Sequence, residues 1–179
     1  SLRMVSWFVL AIAIALLIFV LLPFIPKSIV TPRNGRFVAI RAVETFPGLR
    51  AVEKEAVRHG GGANHRYGLS DAILIKDNHI AACGGSIADT LERAKAYAGH
   101  LRMIEIEVDT LAQLEEALKY GPHAILLDNM SLDQLREAVA INDDRAELEA
   151  SGGVDLDRVR AFAETGVDRS ASGVLTKNV

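Results

Sequence analysis

Cysteine is almost absent: Cys83 is the single one in 179 residues, so no disulfide can close within the chain, and no Cys/His spacing suggests a zinc site. An excess of positive charge is missing as well. Lys and Arg total 20 against 23 Asp and Glu, a formal net charge of -3. Such a chain offers no basic face of the kind that a phosphate backbone demands, which excludes nucleic acid as an expected partner. Length sets a further bound, because 179 residues bury one ordinary core and not two generous ones; one domain plus an appendage, with one site region, is expected. The globular part reads as cytoplasmic.

Charge of either sign is missing from Met4 to Pro26. The stretch from Val5 to Ile25 is apolar with no polar face, and its length fits the roughly 20 residues that a membrane span needs. Pro23-Phe24-Ile25-Pro26-Lys27 offers no small-residue cleavage site, so an uncleaved anchor through residues 5–25 fits better than a signal peptide. Arg3 precedes the stretch and Lys27, Arg33, Arg36 and Arg41 follow it, a bias that leaves the globular part on the cytoplasmic side. The competing reading is that this head is foreign to the domain behind it. Either way the expected division is residues 1–34 as an apolar N-terminal segment and 35–179 as the globular domain.

Behind the head, strand and helix patterns alternate. Leu49, Val52 and Ala56 recur on one face of a helix that Pro47 can open and Gly60-Gly61-Gly62 can end. Ala72–Ile75, Met103–Val108, Ala124–Leu127, Ala146–Ala150 and Val167–Ala171 read as strands. Ile87, Leu91 and Ala94 mark one intervening helix, and Val159 with Phe162 another. Thr110 with Gln113, and Ser131 with Gln134, are capping-box pairs that open two more. Regular alternation implies parallel strands with right-handed crossovers, an α/β fold. Polar residues gather where the strands end: Lys76-Asp77, Glu107 with Asp109, Asp128-Asn129, Ser151-Gly152-Gly153 and Gly173. In an α/β barrel all these ends share one ligand-binding rim. An open doubly wound sheet would also bring them to one edge, so periodicity alone does not choose between the two.

The chemistry available at such a rim is specific in kind. Ser151-Gly152-Gly153 and Ser172-Gly173 can present backbone N–H groups to an anion, and a helix opened by Val154-Asp155 would add its positive end. Glu107 and Asp128 are carboxylates on neighbouring strands, suited to Mg²⁺ or ribose hydroxyls. His65, Arg66 and Lys76 supply cationic donors for a substrate rich in carboxylate or phosphate. Residue by residue, ordinary turns and solvated charges would explain the same pattern; five strands ending alike favour a site for phosphate and carboxylate ligands with a metal option.

The motifs carry a resemblance. Pro47-Gly-Leu-Arg50, Gly60-Gly-Gly-Ala-Asn-His-Arg-Tyr-Gly-Leu69, Leu74-Ile-Lys-Asp-Asn-His79, Ile104-Glu-Ile-Glu-Val-Asp-Thr110, Ile125-Leu-Leu-Asp-Asn-Met130 and Glu149-Ala-Ser-Gly-Gly153 resemble, in order, the motifs of quinolinate phosphoribosyltransferase. The resemblance implies an incomplete parallel α/β barrel of the TIM-like kind, and a homodimer with the active site at the shared interface. It also implies a reaction: quinolinate attacks the anomeric carbon of phosphoribosyl pyrophosphate, pyrophosphate leaves with Mg²⁺, and one carboxyl departs as CO₂ to give nicotinate mononucleotide for NAD. By the same resemblance His65, Arg66 and Lys76 grip quinolinate and pyrophosphate. Glu107 and Asp128 hold the ribose hydroxyls and metal, and Ser151, Gly152, Gly153, Ser172 and Gly173 cradle the 5′-phosphate. Lys76, Glu107 and Asp128 are the expected catalytic residues.

The pattern also departs from the family. Where the family carries Asp-Thr-Arg-Lys-Thr-Thr, this sequence has Arg41-Ala-Val-Glu-Thr-Phe46, which puts Val43 and Glu44 in place of two cations. Losing one such donor to a transition-state charge costs about 2.7–4 kcal/mol in enzymes. Leu175-Thr-Lys-Asn178 stands where the family has Leu-Thr-His-Ser, and the apolar head stands where the family's N-terminal domain is expected, with an arginine that it lends across the dimer. A catalytically impaired fragment, or a membrane-tethered barrel that binds phosphoribosyl ligands without turnover, is therefore the alternative to the working enzyme.

Overall fold

The computed structural model describes residues 39–42, 50–59, 63–66, 71–155 and 157–172. Its strands are β1 (Ala39–Ala42), β2 (Ala63–Asn64), β3 (Ala72–Ile75), β4 (Met103–Val108), β5 (Ala124–Asp128), β6 (Glu147–Ser151) and β7 (Arg169–Ser172). Between them run α1 (Arg50–His59), α2 (Asp77–Ala82), α3 (Ile87–Ala98), α4 (Leu111–Lys119), α5 (Leu132–Asn142) and α6 (Val159–Ala163). The apolar head, Val43, Glu44, Pro47, Gly60–Gly62 and Gly173 lie outside the described residues. Among the described residues no helix is long and apolar enough to cross a membrane.

The strands form a seven-stranded sheet in the order β2-β1-β7-β6-β5-β4-β3, and every ladder is parallel. Each neighbour is the next strand in sequence, except that β7 returns to pair with β1. A doubly wound sheet reverses direction at a switch point, and this order has none; it is the order of a barrel, with the seam between β2 and β3 carrying no ladder among the described residues.

The helix-facing side of the sheet is the core. Ile104, Ile106 and Val108 of β4, Ile125 and Leu127 of β5, and Leu148 and Ala150 of β6 pack with Leu91 of α3, Leu114 of α4, Leu135 of α5 and Phe162 of α6. Full burial of one such side chain is worth about 1.5–3 kcal/mol, so this layer dominates the favourable side of folding. Helix starts follow the expected chemistry. Thr110 Oγ1 accepts from Gln113 N at 3.2 Å while Gln113 Oε1 accepts from Thr110 N at 3.2 Å, and Ser131 with Gln134 repeats the exchange at 3.3 and 2.9 Å. Ser86 caps α3 as well, accepting from Asp89 N at 3.1 Å.

Several sequence expectations need correction. β6 begins at Glu147 and β7 at Arg169, so Ser151 and Ser172 close their strands instead of following them, as Asp128 closes β5. Asp109 lies just past β4. Val154-Asp155 does not open a helix: α6 starts at Val159 and is five residues long. Val154 is buried, and Asp155 spends its side chain on a turn, accepting from Arg158 N at 2.9 Å. β1, β2 and α2 are elements that the apolar patterning did not show.

Candidate functional site

Successive residues of a strand point to opposite faces, and laterally paired residues share a face. With Ile104, Ile106 and Val108 on the helix side, Glu105 and Glu107 point into the barrel. The register Glu107↔Leu126, Leu126↔Glu149 and Asp128↔Ser151 extends that inner face across β5 and β6. Glu105, Glu107, Asp128, Glu147, Glu149 and Ser151 thus share one surface, a concentration of acid that a packed interior tolerates only with partners.

At the strand C-termini the partners are partly of the expected kind. Lys76, which follows β3 and precedes α2, brings its Nζ to 3.7 Å from Glu107 Oε2, with the two side chains 49% and 18% exposed. Burial pushes the Glu107 carboxyl above its ordinary value; Lys76 pulls it down, and Asp128, Asp109 and Asp77 push it further up. Asp128 sits two residues along β5 from Leu126, the register partner of Glu107, on the same inner face. Asp128 in turn accepts a hydrogen bond of 2.6 Å from Asn129 Nδ2.

The turn after β6 meets the same rim. Asn129 N donates to the carbonyl of Ser151 at 3.0 Å, and Gly152 and Gly153 take φ of 92° and 65°, the left-handed region that glycine enters without a Cβ penalty. A Cβ on Gly152 would lie 2.2 Å from Asn129 Oδ1, and one on Gly153 2.8 Å from Arg158 Nη1. Arg158 donates to the Gly153 carbonyl at 3.1 Å and stacks over Phe162 at 5.3 Å. It is a cation beside the proposed phosphate turn that motif reading passed over. Ser172 is buried and its hydroxyl donates to the Val154 carbonyl at 2.8 Å, tying the end of β7 to this loop; its side chain is committed to that bond.

His65 and Arg66 are placed differently from Lys76. His65 is 8% exposed, and its Nε2 lies 3.3 Å from Glu105 Oε2. Its Nδ1 accepts from Arg66 N at 2.7 Å, and the buried Lys54 donates to its carbonyl at 3.1 Å. Glu149 joins them: His65, Glu105 and Glu149 each offer a ligand atom, all within 4.8 Å of one another. Arg66 Nη1 donates to the Ala72 carbonyl at the start of β3, 3.4 Å away, which bridges the seam. The structure therefore gathers Lys76, Glu107, Asp128, Ser151 and Gly152 at the rim, and sends the His65 ring into the barrel beside two acids. Glu105 and Glu149 were missed in the sequence. The signal for them was Glu105-x-Glu107 and Glu149-x-Ser151, where the period of two ties each hidden acid to the face of a recognised residue.

The donors fit a hard cation. Glu107 and Asp128 supply only oxygen, the ligand set of Mg²⁺, and the upward push on Glu107 from neighbouring carboxylates is a charge that a divalent ion would neutralise.

Known proteins resemble this chain in sequence and fold. Residues 28–179 match the family described as "Quinolinate phosphoribosyl transferase, C-terminal domain". The chain is 48% identical over 136 residues to the probable nicotinate-nucleotide pyrophosphorylase (carboxylating) of Bacillus subtilis, covering 76% of this chain and 47% of the relative. To the nicotinate-nucleotide pyrophosphorylase (carboxylating) of Mycobacterium leprae it is 50% identical over 139 residues, covering 76% and 48%. The crystal structure of NadC from Streptococcus pyogenes superposes with a TM-score of 0.75 at 44% identity, over 79% of this chain and 50% of that one. The chain thus spans about half the length of the curated relatives it matches.

Proposed function

Because the chain belongs to the quinolinate phosphoribosyltransferase family, we propose that it is the phosphoribosyl-binding barrel of an enzyme making nicotinate mononucleotide. Quinolinate and phosphoribosyl pyrophosphate are the substrates; pyrophosphate and CO₂ leave, and the ring carbon that loses CO₂ takes up a proton from solvent. One observation carries the reading: Lys76, Glu107 and Asp128 stand at one end of the sheet beside a Gly152-Gly153 turn in left-handed conformation.

The ring nitrogen of quinolinate attacks the anomeric carbon, the bond to pyrophosphate breaks, and positive charge develops on the ribose as it does. The ring nitrogen needs no general base; catalysis consists of positioning and charge stabilisation. Asp128 and Glu107 hold the ribose hydroxyls from the inner face and would supply oxygen ligands to Mg²⁺, whose charge would offset that of the pyrophosphate. Lys76 stays near the anionic groups of either substrate, while Ser151, Gly152 and Gly153, with Ser172 and Gly173, offer backbone N–H groups to the 5′-phosphate. His65 and Arg66 meet the dicarboxylate in this reading, which requires the His65 ring to exchange its contact with Glu105 for one with substrate. A homodimer and membrane attachment through residues 5–25 complete the proposal.

A second reading, binding without turnover, is favoured by one observation: Val43 and Glu44 occupy the places of the family's two cations. Calorimetric titration of the chain with phosphoribosyl pyrophosphate and Mg²⁺, then quinolinate, with an assay for nicotinate mononucleotide, separates the two. Binding abolished by Asp128→Ala is the result expected of both. Product formation selects the enzyme, and a folded chain that binds neither ligand ends the proposal.

A further inference from the structure

We propose that Asn129 is the positioning residue of this site: from a left-handed backbone set against Gly152, it donates its side-chain amide to Asp128 and holds that carboxylate in its working rotamer. The inference rests on the function proposed above. Three non-glycine residues among those described have positive φ, and two of them, Asp143 and Asp144, form the turn that ends α5. The third is Asn129, with φ of 52°, at the end of β5. Asn tolerates this region better than most residues, though not without cost.

The side chain of Asn129 is exposed, so burial gives no reason for keeping a residue in that conformation. Its contacts do. Nδ2 lies 2.6 Å from Asp128 Oδ2, and its N–H is 3.0 Å from the Ser151 carbonyl. Its Oδ1 and Cγ occupy the space where a Gly152 Cβ would come, at 2.2 and 2.9 Å. One residue therefore joins the acid of β5 to the turn after β6, and the absence of a side chain at Gly152 makes room for it. An amide donor fixed on one carboxylate oxygen limits the rotation of Asp128 and leaves the other oxygen directed by that bond, the pre-organisation that ligand binding at a rim requires.

The test uses the whole chain and two variants, Asn129→Gly and Asn129→Asp. Glycine accepts the left-handed backbone and removes only the side chain, so its melting temperature is expected to be no lower than the parent's. Three-bond NMR couplings to the Asp128 Cγ, recorded without ligand, should report one rotamer in the parent and averaging in Asn129→Gly. The dissociation constant for phosphoribosyl pyrophosphate with Mg²⁺ should rise about tenfold, the scale of one hydrogen bond to a charged group. Asn129→Asp, which keeps the shape and reverses the donor, should weaken binding at least as much. A residue that served the fold alone would lower the melting temperature and leave the Asp128 couplings unchanged. A single retained rotamer in Asn129→Gly, or unchanged binding, overturns the proposal. A parent chain that binds no phosphoribosyl pyrophosphate overturns the proposed function, and the couplings alone then decide the role of Asn129.

Discussion

The two faces of the same strands have opposite tasks. On the helix side β4 presents Ile104, Ile106 and Val108, all within the apolar core; on the barrel side it presents Glu105 and Glu107, one paired with His65 and the other with Lys76. The first face gains stability from every buried methylene. The second withdraws carboxylates wholly or partly from water, where they persist through partners and where burial first, and neighbouring acids after it, push the Glu107 carboxyl upward. Residues one apart in sequence therefore belong to different economies of free energy: the outer set holds the barrel together, and the inner set makes its interior chemically useful.

Substitutions should separate the faces. Ile106 is 0% exposed, and Ile106→Ala is expected to lower the unfolding free energy by about 2–5 kcal/mol through lost transfer and a residual cavity, read by urea denaturation. Ligand affinity extrapolated to the folded fraction should not change; a specific loss of affinity would mean that the faces are not independent. Glu105→Ala takes from the buried His65 ring the carboxylate that lies 3.3 Å from its Nε2, at a cost of about 1–3 kcal/mol. Glu105→Gln, which can still accept from the ring, should recover most of it in the same measurement.

Ser131→Ala removes the cap of α5, three residues past Asp128, and should cost about 1 kcal/mol in the same urea measurement, a baseline for a local effect beside the rim. Glu107→Gln is expected to invert the sign. The folded-state pKa of Glu107 is raised above its ordinary 4.5, so between that value and the raised one the native state binds more protons than the unfolded state. Stability contributed by this group falls as pH rises through that window. In metal-free buffer Glu107→Gln should flatten the pH dependence of the melting temperature and be the more stable protein above the window, while binding phosphoribosyl pyrophosphate more weakly. Equal pH profiles would remove Glu107 as a group held at a cost to stability.

Much of the fold was legible where chemistry is local. Ala72–Ile75 announces itself as an apolar run and Met103–Val108 as an alternating strand, and the Thr110/Gln113 and Ser131/Gln134 pairs make the hydrogen bonds their spacing implies. β1 and β2 were not visible, because Ala39-Ile-Arg-Ala42 and Ala63-Asn64 carry no apolar run; their strand character comes from the backbone ladders that join β1 to β7 and β2 to β1. α2 escaped for a similar reason, since among its six residues Ile80 alone is buried. At the site, Lys76, Glu107 and Asp128 were readable as polar strand ends. Asn129 was not, because a donor that acts through its neighbour's rotamer looks like any loop asparagine.

The sequence by itself determined the alternation: which residues of each strand are apolar, where helices begin, and that charged groups collect at strand ends. It could not determine where the charged side of each strand would face. An alternating strand is equally consistent with a polar face turned to water and with one turned to the interior of a barrel. That choice was made when β7 paired with β1, setting Ala39 beside Arg169, a separation far beyond the roughly ten-residue range over which local patterns couple. Ring order is a property of the whole chain, and it is what brings Glu105, Glu149 and His65 within 4.8 Å of one another.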